Sequence, residues 1–291
     1  MAIKVLLDTD IGSDIDDAVA LAYLLAQPEC DLLGITIEGG EVEKRAQIAS
    51  AICTAAGRDI PIYPGRETDL MGMRMPEVAE QAVVLEHWPH AEHFSYGEAI
   101  PFMEHTIRAH PGEVVLLTIA PLTNVAALFA SDEDLPHLLK GIVSMCGLFT
   151  RRLANVKPME YNAGFDPYAT AIVYRSKAPM HRSVGLDVTK SVTMDAREFR
   201  KRFQVKQLQP VLDFAEVWFQ ENESITFHDP LAAATLFEDH ICQFERGEVE
   251  VELASDRLAG ITYWKASPSG RHEVALQVDI NLFFEHYFSV F

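Results

Sequence analysis

The run Asp8-Thr9-Asp10-Ile11-Gly12-Ser13-Asp14-Ile15-Asp16-Asp17 constrains the folding of this chain more than any other segment, because it packs five carboxylates into ten residues. Apolar segments stand on both sides of it. Ile3 to Leu7 reads as a short buried strand, and Ala18 to Ala26 reads as a helix closed by Pro28. A fold for this chain must therefore deliver the acids at a strand end and a helix start, against the core. Helix capping and the macrodipole account for one or two acids, each at about 0.3–1 kcal/mol. Crowded carboxylates repel one another, so the remainder must take up protons or share a cation. Three readings stay open from the residues alone. One is a hard-cation site, where oxygen-only ligands favour Ca²⁺ or Mg²⁺. The second is a capped, solvated acidic loop. The third is a phosphatase-like D-x-D site with Asp8 as nucleophile and Asp10 as acid.

The rest of the chain repeats the strand–helix rhythm. Strands are expected at Leu32 to Ile37, Ile60 to Tyr63, Val114 to Ile119, Ile142 to Met145 and Ser183 to Leu186. Helices are expected at Glu41 to Ala56 with Gly57 closing it, at Thr123 to Ala130, and at Asp166 to Arg175. Pro64 to Gly97 is irregular, a loop or lid. Its Met71, Met73 and Met75 suggest loop packing, and Trp88 with His87, His90 and His93 shows no metal-ligand spacing. Beyond residue 190 helices dominate to Phe237. Strand-like runs follow at Glu248 to Leu253, Ile261 to Trp264 and Val274 to Ile280, and a final amphipathic helix at Asn281 to Val290. This pattern predicts one α/β domain over residues 1–291. Its core is an open, mostly parallel, Rossmann-like sheet flanked by helices, with a helical and small β addition in the C-terminal third. Ligands of such sheets bind beyond the carboxyl ends of the strands. The positions to inspect are Asp8 and Asp10, Glu38 to Gly40, Ala120 and Pro121, Cys146 and Gly147, and Asp187.

Lys and Arg number 24 against 43 Asp and Glu, a formal net charge of −19. Such a chain is not built to neutralise phosphates along a nucleic acid. No stretch approaches the ~18 apolar residues of a membrane span, and the N-terminus turns acidic too early for a signal peptide. Cys30, Cys53, Cys146 and Cys242 show no C-x-x-C spacing and read as reduced core thiols, hence a cytoplasmic protein.

Asp8-Thr9-Asp10, Gly12 and Asp16-Asp17-Ala18, followed by an apolar helix, resemble the N-terminal signature of the inosine–uridine-preferring nucleoside hydrolases. Further segments match in the family's order. They are Pro111-Gly112-Glu113-Val114, Pro121-Leu122-Thr123-Asn124, Met145 with Gly147, Pro158-Met159-Glu160-Tyr161-Asn162 before Asp166-Pro167, Gly185-Leu186-Asp187-Val188-Thr189, and His228-Asp229-Pro230. The resemblance implies hydrolysis of the N-glycosidic bond of ribonucleosides to ribose and a base, with Ca²⁺ as cofactor. It implies that Asp10 is general base and metal ligand, and that Asp17, Asp229 and the carbonyl of Ile119 complete the metal set. It gives Asp16 the ribose 2′- and 3′-hydroxyls, Glu160, Asn162 and Met145 the rest of the substrate, and His228 the proton for the departing base. Read without the family, His228 could as well cap a helix, and Asn162 make a turn. Thr123 and Asn124 look like structural residues at a helix start, and Asp8 like a support of the loop.

The chain also departs from the family pattern. Ile11 stands where proline is usual, and Ser13-Asp14 lengthens the loop. Glu38-Gly39-Gly40-Glu41 lacks the usual Gly-Asn pair whose Asn touches ribose, and a His-Gly segment common near residue 85 is missing. These changes leave the metal residues in place and point to an altered nucleoside or another riboside. A calcium-containing riboside binder without turnover is the competing reading. The resemblance further implies a homo-oligomer, dimer or tetramer.

Overall fold

The structure is a computed structural model that describes residues 2–73, 78–150, 153 and 157–291. Met75 lies outside the described residues. Strands form at β1 (Ile3–Thr9), β2 (Cys30–Ile37), β3 (Ile62–Pro64), β4 (Val114–Thr118), β5 (Gly141–Ser144), β6 (His181–Ser183), β7 (Thr193–Asp195), β8 (Ser224–Thr226), β9 (Cys242–Val251), β10 (Thr262–Ala266) and β11 (His272–Val278). Nine of them make one sheet in the order β10-β9-β11-β6-β5-β4-β1-β2-β3, and β7 and β8 form a separate antiparallel pair. Pairing from β3 across to β11 is parallel throughout. Within that sheet, among the described residues, only the β9–β10 and β9–β11 contacts are antiparallel. The mostly parallel sheet with flanking helices is the architecture the sequence pattern predicts.

Chain order places the site. β1 lies between β2 and β4, with Asp8 opposite Thr36 on one side and Thr118 on the other. The connections lead outward in opposite directions from β1 and β4, so the crevice beyond their carboxyl ends is the switch point where ligands bind in open sheets. Asp10 leaves β1 there and Ile119 leaves β4, tied by the Ile119 N–H to the Asp8 carbonyl at 2.9 Å. The helix Asp16–Ala26 is buried from Asp16 to Leu25, and its two acids occupy the first turn, where the helix dipole favours negative charge. It lies beside the helix His228–Ala234, whose first turn brings Asp229 to the same end of the core.

Several elements differ from their expected limits. The strand expected over Ser183 to Leu186 is His181–Ser183, and Leu186–Thr189 is a helical turn. Asp187 bends the chain there by accepting hydrogen bonds from the N–H groups of Phe149 and Thr150 at 2.7 and 2.8 Å. Charged Glu245 and Arg246 interrupt the apolar pattern of β9, which starts at Cys242 rather than Glu248. The short β7–β8 pair interrupts the helical stretch after residue 190. An additional helix, Ala99–Ala109, buries Ala99, Met103, Thr106 and Ile107 along one face. Within the irregular stretch, Glu80–His87 is a 3₁₀-helix, and Trp88 packs with its Nε1–H on Asp213 at 3.1 Å. All four cysteines are free and buried. Among the described residues, no helix is long and apolar enough to cross a membrane.

Asp166 joins three parts of this frame. Its buried carboxylate accepts from the Leu70 N–H at 2.8 Å, the Thr123 hydroxyl at 3.0 Å and the Ala169 N–H at 2.9 Å, the last capping the helix Pro167–Arg175. Asp166→Ala leaves these donors unsatisfied, and we expect a loss on the order of 3 kcal/mol in chemical denaturation. A loss below about 0.5 kcal/mol would show that water or a shifted backbone replaces the carboxylate.

Candidate functional site

A cavity of about 540 Å³ opens at the switch point. Asp10, Asp16, Asp17, Ile119, Met145, Glu160, Asn162, His228 and Asp229 all line it, so the residues singled out from the sequence meet in one place. Ser13, Asp14, Lys157, Met159, Tyr161, Leu186 and Lys190 complete the wall.

Carboxylates form one side. Asp16, Asp17 and Asp229 each offer an oxygen, and these oxygens lie within 4.8 Å of one another, all from buried side chains. The Asp229 N–H donates to Asp16 Oδ2 at 3.1 Å, and the Thr9 hydroxyl donates to Asp17 Oδ1 at 2.5 Å. These bonds fix the acids without neutralising them. Burial first, and then repulsion from neighbouring aspartates, drives Asp16, Asp17 and Asp229 well above the usual carboxylate range. Burial raises Asp14 to about 6. Asp10 is also raised by burial, with the nearby Arg45 guanidinium pulling in the other direction. Closely spaced buried oxygens that resist ionisation are the donor set a hard divalent cation relieves, and Asp16 stands in this set beside Asp17 and Asp229.

Opposite the acids, Glu160 caps the short helix Tyr161–Phe165. Its oxygens accept from the N–H groups of Asn162 at 2.8 Å, Ala163 at 2.9 Å and Gly147 at 3.0 Å. Asn162 Nδ2 donates to the carbonyls of Met145 at 3.0 Å and Ile119 at 3.3 Å, so the Asn162 amide spans the ends of β4 and β5. His228 Nδ1 is paired with the Thr189 hydroxyl at 2.7 Å, which leaves Nε2 for a ligand. The sequence reading takes His228 as an acid because imidazole titrates near neutral pH. In the structure burial, with Lys190 adding to it, pushes the ring down to about 3, so it is neutral at physiological pH.

Asp8 is a different kind of residue. It is fully buried and absent from the cavity wall, which removes it as a phosphatase nucleophile. Asp8 Oδ1 accepts from Thr36 at 2.6 Å and Asn124 Nδ2 at 2.9 Å. Asn124 also donates its N–H to Glu38 Oε2 at 2.9 Å and accepts the Arg66 N–H at 3.0 Å. Asn124 is thus more than a residue at a helix start, because it knits the ends of β1 and β2 beneath the cavity. The sequence signal for this was the placement of polar Asn124 among the apolar residues of the helix Thr123–Ser131.

The family described as inosine-uridine preferring nucleoside hydrolase matches residues 5–285. The chain is 31% identical over 267 residues to a protein named probable uridine nucleosidase 1 of Oryza sativa subsp. japonica, covering 86% of this chain and 81% of that relative. It is 30% identical over 291 residues to the pyrimidine-specific ribonucleoside hydrolase RihA of Photobacterium profundum, covering 90% and 88%. The solved purine-preferring ribonucleoside hydrolase from Gardnerella vaginalis superposes with a TM-score of 0.85 at 24% identity, over 99% of this chain and 97% of that one, which is a likeness of fold.

The raised carboxylates set a pH dependence. Without a divalent cation, Asp16, Asp17 and Asp229 hold protons more tightly folded than unfolded, where their value is near 3.8. Their contribution to stability is complete below that value and is lost as pH rises through the folded values. Thermal melts of chelator-treated protein from about pH 4 to 8 should therefore fall toward neutral pH, and added Ca²⁺ should restore the loss. Melting temperatures that rise steadily to pH 8 without cation would contradict this.

Proposed function

The chain belongs to the inosine-uridine preferring nucleoside hydrolases, enzymes of the N-glycosidic bond of ribonucleosides, and we propose that it performs this hydrolysis with a calcium ion at the acidic cluster, on a nucleoside or a related riboside. One observation carries the reading. Three buried carboxylates draw together in a cavity whose other walls supply Glu160, Asn162 and an imidazole.

Asp17 and Asp229 of that cluster, joined by Asp10 and the carbonyl of Ile119 from the same cavity wall, would hold the cation, and Asp16 would stand beside it. Bound there, Ca²⁺ would supply orientation to a water and lower its pKa. Asp10 would act as the base for the attacking water, and its place at the open end of β1 keeps it on the cavity wall. Asp16 accepts hydrogen bonds from the ribose 2′- and 3′-hydroxyls. Glu160, Asn162 and Met145 support the remainder of the sugar, and the Glu160 carboxylate is pre-oriented by its three backbone donors. His228 assists the departing base as a neutral donor. When Thr189 donates to Nδ1, the hydrogen is on Nε2, and the leaving nitrogen takes a hydrogen bond from it. The free buried thiols support a reducing cytoplasm as the site of action.

The relatives' names divide between pyrimidine and purine, so the test is base release from ribonucleosides of both classes and their 2′-deoxy counterparts, with Ca²⁺ present. Release from a ribonucleoside, slower for the deoxy form, supports the reading. Ribose binding with no base released from any riboside would favour the non-catalytic binder. Asp10→Asn should keep the fold and lose on the order of 10²–10⁴-fold in kcat. A near-normal kcat would assign the water's proton to another group.

A further inference from the structure

The loop that carries the acids is held from behind by two side chains that never reach the cavity. Arg45 and Gln81 are both completely buried. Arg45 Nη1 donates to the carbonyls of Asp10 and Ile11, and Nη2 donates to the Ser13 hydroxyl at 2.9 Å. Its Nε donates to the Gly40 carbonyl at 2.6 Å. From the other side, the Gln81 N–H donates to the Gly12 carbonyl at 3.1 Å, and Gln81 Nε2 donates to the carbonyls of Ser13 at 2.9 Å and Asp14 at 3.0 Å. Every main-chain carbonyl from Asp10 to Asp14 is therefore taken by one of these two residues.

The two arms are joined. Between β2 and Arg45 the chain turns through Gly39 at φ +103° and Glu41 at φ 61°, the one non-glycine with positive φ among the described residues. A Cβ on Gly39 would stand 3.2 Å from Arg45 Nε, so the turn wraps closely around the guanidinium. Glu41 Oε2 then accepts the Ala79 N–H at 2.9 Å, two residues before Gln81. A left-handed non-glycine persists only where its surroundings over-determine it, and here both neighbours are the arms of this assembly.

We propose that Arg45 and Gln81 are positioning residues, a two-sided clamp that fixes the main chain of residues 10–14 so that Asp10 and Asp14 are held at the cavity wall. The role rests on the hydrolysis proposed above. The loop has no regular structure of its own, and its acids repel one another, so unheld it would relax away from the neighbouring Asp16, Asp17 and Asp229. An arginine fork suits the task because it spans adjacent carbonyls and a hydroxyl, which a lysine ammonium cannot do in one geometry. Displacing a reacting group by about 1 Å costs on the order of 10²-fold in rate.

The test compares wild-type protein with Arg45→Lys, Arg45→Met, Gln81→Met and the Arg45→Lys/Gln81→Met double variant. Base release gives kcat and KM, calorimetry with Ca²⁺ gives cation affinity, and thermal melts report folding. We expect Gln81→Met and Arg45→Met to lower kcat about 10–10²-fold with KM within a few-fold, and Arg45→Lys to recover part of the loss. Cation affinity should weaken in the same order, and the double variant should lose less than the product of the single losses. Should Arg45→Met not fold, Arg45→Lys and Gln81→Met carry the test. Unchanged kcat and cation affinity in folded variants, or a lower melting temperature alone, would overturn the clamp. If wild-type protein releases no base, the proposed function fails, whereas calcium affinity still decides the clamp.

Discussion

Repulsion among buried carboxylates at the end of β1 is the constraint around which the molecule is arranged. Folding drives Asp16, Asp17 and Asp229 into the core, where burial makes ionisation costly and proximity makes it costlier. The dipole of each helix start favours an acid or two there, but not three buried carboxylates side by side. The parallel sheet brings the acids together because the connections that follow β1 and β4 lead apart at this point, and the helices Asp16–Ala26 and His228–Ala234 both begin there. The arrangement is coherent once a divalent cation is included, since one ion replaces several protons and removes the repulsion between charges.

Much of the surrounding polar structure holds this unfavourable cluster in place. Asn124 links Asp8, Glu38 and the Arg66 backbone beneath the cavity. Glu160 takes three backbone N–H groups and so keeps its carboxylate aimed while raising the cavity's polarity. The main chain of the acidic loop is satisfied from outside the site by Arg45 and Gln81. In each case a buried side chain bonds to backbone, and rigidity reaches the site through main-chain carbonyls and amides rather than through contacts with the reacting groups.

The elements that form the cavity were legible because their signals are local. Apolar strands such as Ile3 to Leu7 and Val114 to Ile119 end abruptly in acids, Pro or Gly, and the motif around Asp10 lies just after such an end, whereas Glu160 and Asp229 stand at helix starts and were picked out by the family resemblance. Arg45 and Gln81 were not legible, since donors to backbone carbonyls need no particular spacing. The signal available was an arginine on the same helix face as Val42, Ala46 and Ala49, all buried. Gln81 sat in the irregular stretch, where no periodicity marks a buried polar residue. Nor could sequence give the neutral state of His228, because burial and the closeness of Lys190 are tertiary facts. The strand at His181–Ser183 was displaced in the sequence reading because Asp187 bends the chain through bonds to Phe149 and Thr150.

If the buried acids form a cation site, Ca²⁺ titrated calorimetrically into chelator-treated protein should bind there. One ion should bind per chain, with binding lost or greatly weakened in Asp17→Asn and Asp229→Asn variants that still fold. No uptake of Ca²⁺ or any other divalent cation, or binding that both variants retain at full strength, would contradict it.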